Sequence, residues 1–263
     1  VAMIEIQRVF QPALDTSARA VQAKACETCP YSDATAECTG YTGCKTNIAI
    51  IDTGVDDDHE QFTGKFIAGF DATVFEDTDH NGVDDSGEEA ADGTTNPDDD
   101  WNGFNSEGHG THVAGIALGK GVAGRDCRNP RNEEGNCGGV AREAGLVDIK
   151  VCYMKKCEDF LGCEVATCET SDMAEALDWL GFNFDKDNVK VRVANISLTY
   201  ATEVNASGDT VWDDDGTDAI AQQVNYLSAL GILMVAAHGN SIPNFSPGDR
   251  VTHSPGSASF AVT

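Results

Sequence analysis

Apolar residues follow one another without alternation in several short runs along this chain. The first run, Ile-Ala-Ile-Ile over residues 48–51, ends abruptly in Asp52. Further apolar runs lie within residues 145–151, 189–198 and 232–237. Short continuous runs rich in β-branched residues are typical of strands that are buried on both faces of a sheet. The pattern therefore predicts four buried strands, the first of them delivering a carboxylate at its end.

Between these runs, apolar residues recur at helical spacing. In one segment Asp172, with Glu175 three residues later, predicts a helix start, and the apolar face consists of Met173, Ala176, Leu177 and Leu180. A second helix is predicted over residues 218–230, with Gly231 as its stop. A third is predicted to begin at His109. Strands that alternate with helices imply an α/β fold, a mostly parallel sheet with helices on both faces.

Two polar residues lie where the predicted fold would place functional side chains. Asp52 ends a buried strand, and polar groups in parallel sheets gather at the carboxyl ends of the strands. His109 lies between Gly108 and Gly110, which let backbone approach the imidazole closely. A neutral histidine beside a buried carboxylate is held in one tautomer and can take a proton from a hydroxyl. The pair is therefore interpreted as two thirds of a catalytic triad.

Together with three further motifs, this pair resembles the subtilisin-like serine proteases, in that family's order from about residue 40 to the last residue. The five motifs are Asp52-Thr53-Gly54, Gly108-His109-Gly110-Thr111-His112, Val140-Ala141, Asn195-Ile196-Ser197-Leu198 and Ala236-Ala237-His238-Gly239-Asn240. The resemblance implies an incomplete peptidase domain over residues 40–263, truncated at its C-terminus. Residues 1–39 would form a leading segment with a cysteine-rich insertion.

The resemblance also implies roles for individual residues. Asp52 and His109 would be catalytic, and Asn240 would donate its side-chain amide to the oxyanion of the tetrahedral intermediate. The substrate-binding residues would be Ser197, Leu198, Thr199 and His238. Because Thr199 and His238 stand where the family has small residues, we expect a narrowed or pH-sensitive first side-chain pocket.

The family's nucleophilic serine stands in a Gly-Thr-Ser-Met-Ala-like turn, and no serine of this sequence has that context. We therefore expect the chain alone to be inactive. Two functions remain open. The first is a secreted serine endopeptidase that acts through an Asp-His-Ser triad, present here without its serine. The second is a non-catalytic, calcium-dependent module that binds proteins on the same scaffold.

Residues 71–100 carry twelve carboxylates and no lysine or arginine. Inside this acidic insertion, oxygen donors and a turn glycine follow the spacing of a calcium-binding loop. The predicted ligands are Asp77, Asp79, Asn81, the backbone carbonyl of Val83, Asp85 and Glu88. A solvated acidic loop is the alternative. A different calcium site of the family is in question, because Gln61 stands where many members have a calcium-binding aspartate.

The net charge of −27 argues against nucleic acid and anionic membranes as partners. No stretch has the length and composition of a membrane span or a signal peptide. A polypeptide substrate is the expected partner, a pro-segment is a further candidate, and the protein is expected to be a monomer.

Ten cysteines fall into three local groups of four, two and four. Even, local grouping favours disulfides formed in an oxidising compartment, and therefore an extracellular protein. The alternative is a zinc site, because Cys26 and Cys29 have the spacing of zinc ligands and two more cysteines follow them. The connectivity within each group of four stays open.

Overall fold

The computed structural model describes residues 42–73, 97, 108–121, 138–156, 164–199, 203–204, 210–211, 216–239 and 254–263. Its centre is a parallel sheet of five strands: β1 (Asn47–Asp52), β2 (Phe66–Asp71), β3 (Gly145–Lys150), β6 (Val191–Ile196) and β9 (Leu233–Ala236). The strands lie side by side in the order β2-β3-β1-β6-β9. The strand that ends in Asp52 is thus the middle one.

Two short antiparallel pairs accompany this sheet: β4 (Cys152–Lys156) with β5 (Glu164–Cys168), and β7 (Glu203–Val204) with β8 (Thr210–Val211). The first pair is a hairpin that leaves the carboxyl end of β3. Its outer residues, Cys152 and Cys168, face each other in register and form a disulfide. The predicted local pairing is confirmed for these two cysteines, whereas Cys157 and Cys163 lie outside the described residues.

In the described ranges, three helices cover the sheet: α1 (His109–Leu118), α2 (Thr170–Asn183) and α3 (Ala219–Ala229). Buried residues of α2 and α3, such as Leu177 and Val224, pack with Ile51 and Ile149 of the sheet. Ala114 and Leu118 of α1 pack with residues of the opposite face, including Ile50. Helices on both faces of a parallel sheet confirm the predicted α/β class, and burial of both strand faces explains the unbroken apolar runs.

The beginning of α2 differs from the prediction. The helix starts at Thr170 after Glu169, whose side chain makes no capping hydrogen bond. Asp172 lies inside the first turn and is buried, so its interpretation as a cap is wrong. The prediction for α3 is confirmed, because the helix spans Ala219–Ala229. The structure adds that Asp218 caps it, since its Oδ1 accepts the backbone N–H groups of Ile220 (2.9 Å) and Ala221 (3.2 Å).

Candidate active site

Asp52 is the last residue of the middle strand β1, and its side chain is fully buried. Its Oδ1 accepts the backbone N–H of Thr53 at 2.9 Å. The same oxygen lies 2.6 Å from Nδ1 of His109. A carboxylate that is held at the end of a strand and by its own following residue has little freedom, so it fixes the partner with which it hydrogen-bonds.

His109 is the first residue of α1, and its side chain is 36% exposed. Gly108 before it has a φ of +36°, a conformation that glycine adopts without steric cost. Because Nδ1 is engaged with Asp52, the imidazole keeps Nε2 as its proton-accepting nitrogen. One side of the ring is thus anchored to a buried acid, while the ring as a whole remains partly accessible.

Two further hydrogen bonds tie the turn after β1 to the first residues of α1. The backbone N–H of Gly110 donates to Oγ1 of Thr53 at 3.0 Å. The backbone N–H of Asp56 donates to Oγ1 of Thr111 at 2.9 Å. The relative position of Asp52 and His109 therefore rests on the whole contact between turn and helix, in addition to their own bond.

The predicted substrate-binding residues lie at the same edge of the sheet. In the β1–β6 register Ile51 is paired with Ile196, so Ser197 follows beside Asp52. Ser197, Leu198 and Thr199 are half-buried, and Ser197 Oγ accepts a hydrogen bond from Nδ2 of Asn195 at 2.9 Å. His238 is exposed and lies two residues past β9. The structure therefore places these residues at the carboxyl end of the sheet, where β1 ends in Asp52.

Several predicted site residues lie outside the described residues. Asn240 is one, and the six predicted calcium ligands, Asp77, Asp79, Asn81, Val83, Asp85 and Glu88, are the others. Their roles stay predictions. Among the residues that the structure does describe, no group of three or more histidine, cysteine and acidic side chains is placed to hold a metal ion.

The structure shows what Gln61 does in place of the aspartate found in many family members. Its Oε1 accepts the backbone N–H of Gly121 at 2.7 Å, and its backbone oxygen accepts that of Lys120 at 3.1 Å. Both donors follow the end of α1. Gln61 therefore ties the far end of the helix that carries His109 directly to the loop between β1 and β2.

Sequence reasoning missed three charged residues beneath the site: Asp71, Asp148 and Lys150, all fully buried. Lys150 is the register partner of Asp52 on one side and of Asp71 on the other. A signal was available, because Asp148 and Lys150 interrupt a run that otherwise has the composition of a strand buried on both faces. Charged residues are almost never fully buried unless they are paired.

In the part of the chain that the structure describes, every helix falls short of the length or the hydropathy that a bilayer crossing requires.

Among curated proteins, the chain is 26% identical over 211 residues to the subtilisin-like protease PopC of Myxococcus xanthus, a match that covers 80% of this chain and 36% of that protein. It is 33% identical over 144 residues to the subtilisin-like protease SBT3.17 of Arabidopsis thaliana, covering 55% of this chain and 16% of that protein. It is 30% identical over 197 residues to the subtilisin of Bacillus sp. strain TA39, covering 75% and 34%. The chain thus spans about a third or less of the length of these relatives.

Two solved structures give similar results. The S41 psychrophilic protease is 30% identical with a TM-score of 0.49, and the match covers 82% of this chain and 51% of that one. Sphericase is 26% identical with a TM-score of 0.48, covering 77% and 48%. The decisive comparison is with protein families: the model of the subtilase family matches residues 43–263, so the chain belongs to the subtilase family.

Proposed function

We propose that this chain is part of a serine endopeptidase in which Asp52 and His109 activate the nucleophile. The observation that carries the proposal is the 2.6 Å contact between Oδ1 of Asp52 and Nδ1 of His109 at the carboxyl edge of the sheet. Membership of the subtilase family and the relatives named as proteases support it.

In the proposed reaction, Nε2 of His109 takes the proton of a serine hydroxyl as that oxygen attacks the peptide carbonyl. The imidazolium then gives the proton to the leaving amine, and the buried carboxylate of Asp52 stabilises the positive ring between these steps. Asn240 is the proposed donor to the oxyanion. Since none of the serines in the sequence stands in a glycine-flanked turn into a helix, we propose that the nucleophile comes from outside these 263 residues.

The proposed substrate is an extended polypeptide that pairs with Ser197, Leu198 and Thr199 as an added strand. Thr199 and His238 would restrict the pocket for the residue before the cleaved bond. Because a histidine side chain becomes positively charged as the pH falls from 8 to 5, we propose that this pocket selects substrate side chains by size and that its selection depends on pH. Equal cleavage after large aromatic and small residues at pH 5 and pH 8 would reject this part of the proposal.

We further propose that the protein is extracellular and calcium-stabilised. The even cysteine groups and the Cys152–Cys168 disulfide support an oxidising compartment. The spacing of oxygen donors in residues 77–88 supports calcium.

The function is tested on the full-length protein with a fluorophosphonate probe and with unfolded polypeptide as substrate. We expect labelling and hydrolysis, both of which should collapse in His109→Ala and Asp52→Asn. In subtilisin, the loss of the histidine costs about a million-fold in kcat and the loss of the aspartate about 10⁴-fold. His112→Ala is the matched control, because His112 lies on the same helix and is exposed.

The two functions left open by the sequence give different results in this experiment. Labelling that survives in His109→Ala would contradict the proposed role of the imidazole. Absence of both labelling and hydrolysis in the full-length protein would favour the non-catalytic binding module.

A further inference from the structure

Asp148 is a fully buried carboxylate in β3, and none of the proposed catalytic steps uses it. In the sheet register it is paired with Ile50 of β1 and with Gly69 of β2. Register partners on neighbouring parallel strands share a face, and Ile50 packs with the residues of α1. Asp148 therefore lies on the face that α1 covers, beneath the turn that follows Asp52.

The carboxylate of Asp148 holds that turn directly. Its Oδ2 accepts the backbone N–H of Val55 at 2.9 Å, and both residues are fully buried. The chain reaches this position through Gly54, whose φ of +94° turns the backbone after β1. A buried backbone donor that lacks an acceptor is strongly unfavourable, so the conformation of the turn depends on an acceptor at this place.

The turn held by Asp148 also positions α1. Thr53 accepts the N–H of Gly110, and the N–H of Asp56 donates to Thr111. These two bonds flank Val55, the residue that Asp148 holds from below. A displacement of Val55 would therefore be passed to the first turn of α1, which carries His109.

Asp148 lies among other buried charged residues, so its charge matters in addition to its hydrogen bond. Lys150, two residues later on the same face, is buried in register between Asp52 and Asp71. These residues give three carboxylates and one ammonium beneath the site, so an uncharged residue at 148 would change the local balance as well as the hydrogen bond. A test must separate these two effects.

We propose that Asp148 is a positioning residue for the Asp52–His109 pair, acting through its hydrogen bond to Val55. In this role it acts through the backbone of Val55. It fixes the turn at residues 53–56, the turn fixes the start of α1, and the start of α1 sets the geometry between Nδ1 of His109 and Oδ1 of Asp52. This inference deepens the proposed hydrolytic function and rests on it.

Three variants separate the hydrogen bond from the charge. Asp148→Ala removes the acceptor, whereas Asp148→Asn keeps an acceptor oxygen and removes the charge. Asp148→Leu replaces the carboxylate by an apolar group of similar size and serves as the non-accepting variant if the alanine variant does not fold. Asp172→Ala is the matched control, because it removes a buried carboxylate whose Oδ1 bonds to Ser171 and does not hold the turn.

The first measurement is an NMR titration of the His109 imidazole in the full-length protein, which does not depend on hydrolytic activity. A carboxylate beside an imidazole favours its protonated form. We therefore expect His109 in Asp148→Ala and Asp148→Leu to become protonated at lower pH than in the wild type. Asp148→Asn should titrate closer to the wild type than these two variants do, and Asp172→Ala should titrate like the wild type.

The second measurement is the pH profile of kcat in the full-length protein. A misplaced catalytic group lowers the rate of the chemical step, so kcat in the non-accepting variants should fall about tenfold or more, with KM within about twofold. The proposal would be overturned if, in both Asp148→Ala and Asp148→Leu, His109 titrated as in the wild type and kcat were unchanged. So would an asparagine variant as impaired as the alanine variant, because the charge would then be what matters. If the full-length protein does not hydrolyse peptides, the titration still decides the positioning role.

Discussion

Gly110 lies directly against Gly54, so closely that a Cβ atom built at position 110 would be 2.1 Å from the carbonyl oxygen of Gly54. The same Cβ would lie 3.2 Å from the Cβ of Asp52. The glycine after His109 therefore has a steric reason: it lets the first turn of α1 approach the turn after β1. Without this approach the imidazole could not stay within hydrogen-bond distance of Asp52.

Gly110→Ala should consequently be damaging. The obstacle is backbone, which cannot rotate away as a side chain can, so we expect a loss of about 1–3 kcal/mol in the free energy of unfolding and a weakened Asp52–His109 contact. Urea unfolding and the NMR titration of His109 measure the two effects. Gly115→Ala is the control, because a Cβ at that position of the same helix would have no atom within 4 Å apart from its chain neighbours and the helix's own backbone. It should be neutral or stabilising by up to about 1 kcal/mol.

Asp172 predicts a pH-dependent stability. Burial raises its pKa to about 6 against an ordinary value of 3.8, with Glu169, Glu175 and Asp71 adding to the shift. The folded protein therefore binds the proton of the Asp172 carboxyl more tightly than the unfolded chain does. The contribution of this group to the free energy of unfolding is fully present below pH 3.8 and is lost as the pH rises through about 6.

Asp172→Asn removes this titration. The stability of the variant relative to the wild type should rise between pH 4 and pH 8 by roughly 1–2 kcal/mol. Unfolding in urea at the two pH values measures it. Asp178→Asn, on the exposed side of the same helix, is the control. An equal difference between Asp172→Asn and the wild type at both pH values would contradict the prediction.

The Cys152–Cys168 disulfide joins the two ends of the β4–β5 hairpin across 16 positions of sequence. A cross-link that closes a loop of this size raises the free energy of the unfolded chain by about 3 kcal/mol, because it reduces the conformations open to that chain. The double variant Cys152→Ala/Cys168→Ala should lose about that much free energy of unfolding. A reductant should lower the melting temperature of the wild type more than that of the double variant. Equal sensitivity of the two proteins to the reductant would show that this disulfide is not the one that matters.

Calcium should stabilise the protein if the acidic insertion binds it. A ligand that binds only the folded state at a hundred times its Kd adds about 2.7 kcal/mol. Adding EDTA should therefore lower the melting temperature of the wild type but not that of Glu88→Gln, which has lost a predicted ligand. Glu89→Gln is the control, since Glu89 is the next residue and lies outside the ligand pattern. A melting temperature of the wild type that ignores EDTA would favour the solvated acidic loop.

Much of the fold followed from local pattern. The run at residues 48–51 predicted β1, and the helical spacing of apolar residues over 218–230 predicted α3, because both patterns depend on residues close in sequence. The local pattern did not predict β2. Phe66–Asp71 contains Gly69 and ends in an acid, and it becomes a strand through its pairing with β3. The spacing of Asp172 and Glu175 is typical of a helix start, but packing places Asp172 inside the helix, where it is buried.

By itself, the sequence predicted Asp52 and His109 as a pair, four of the five strands of the central sheet with the three helices between them, and the family. Propensity, capping and burial pattern act over a few neighbouring residues, so they can be read from the chain. Only the tertiary structure decided that Asp52 and His109, 57 positions apart, share a hydrogen bond, and that Asp148 holds the turn between them. Strand register and the approach of α1 set these distances, and both depend on contacts between residues far apart in sequence.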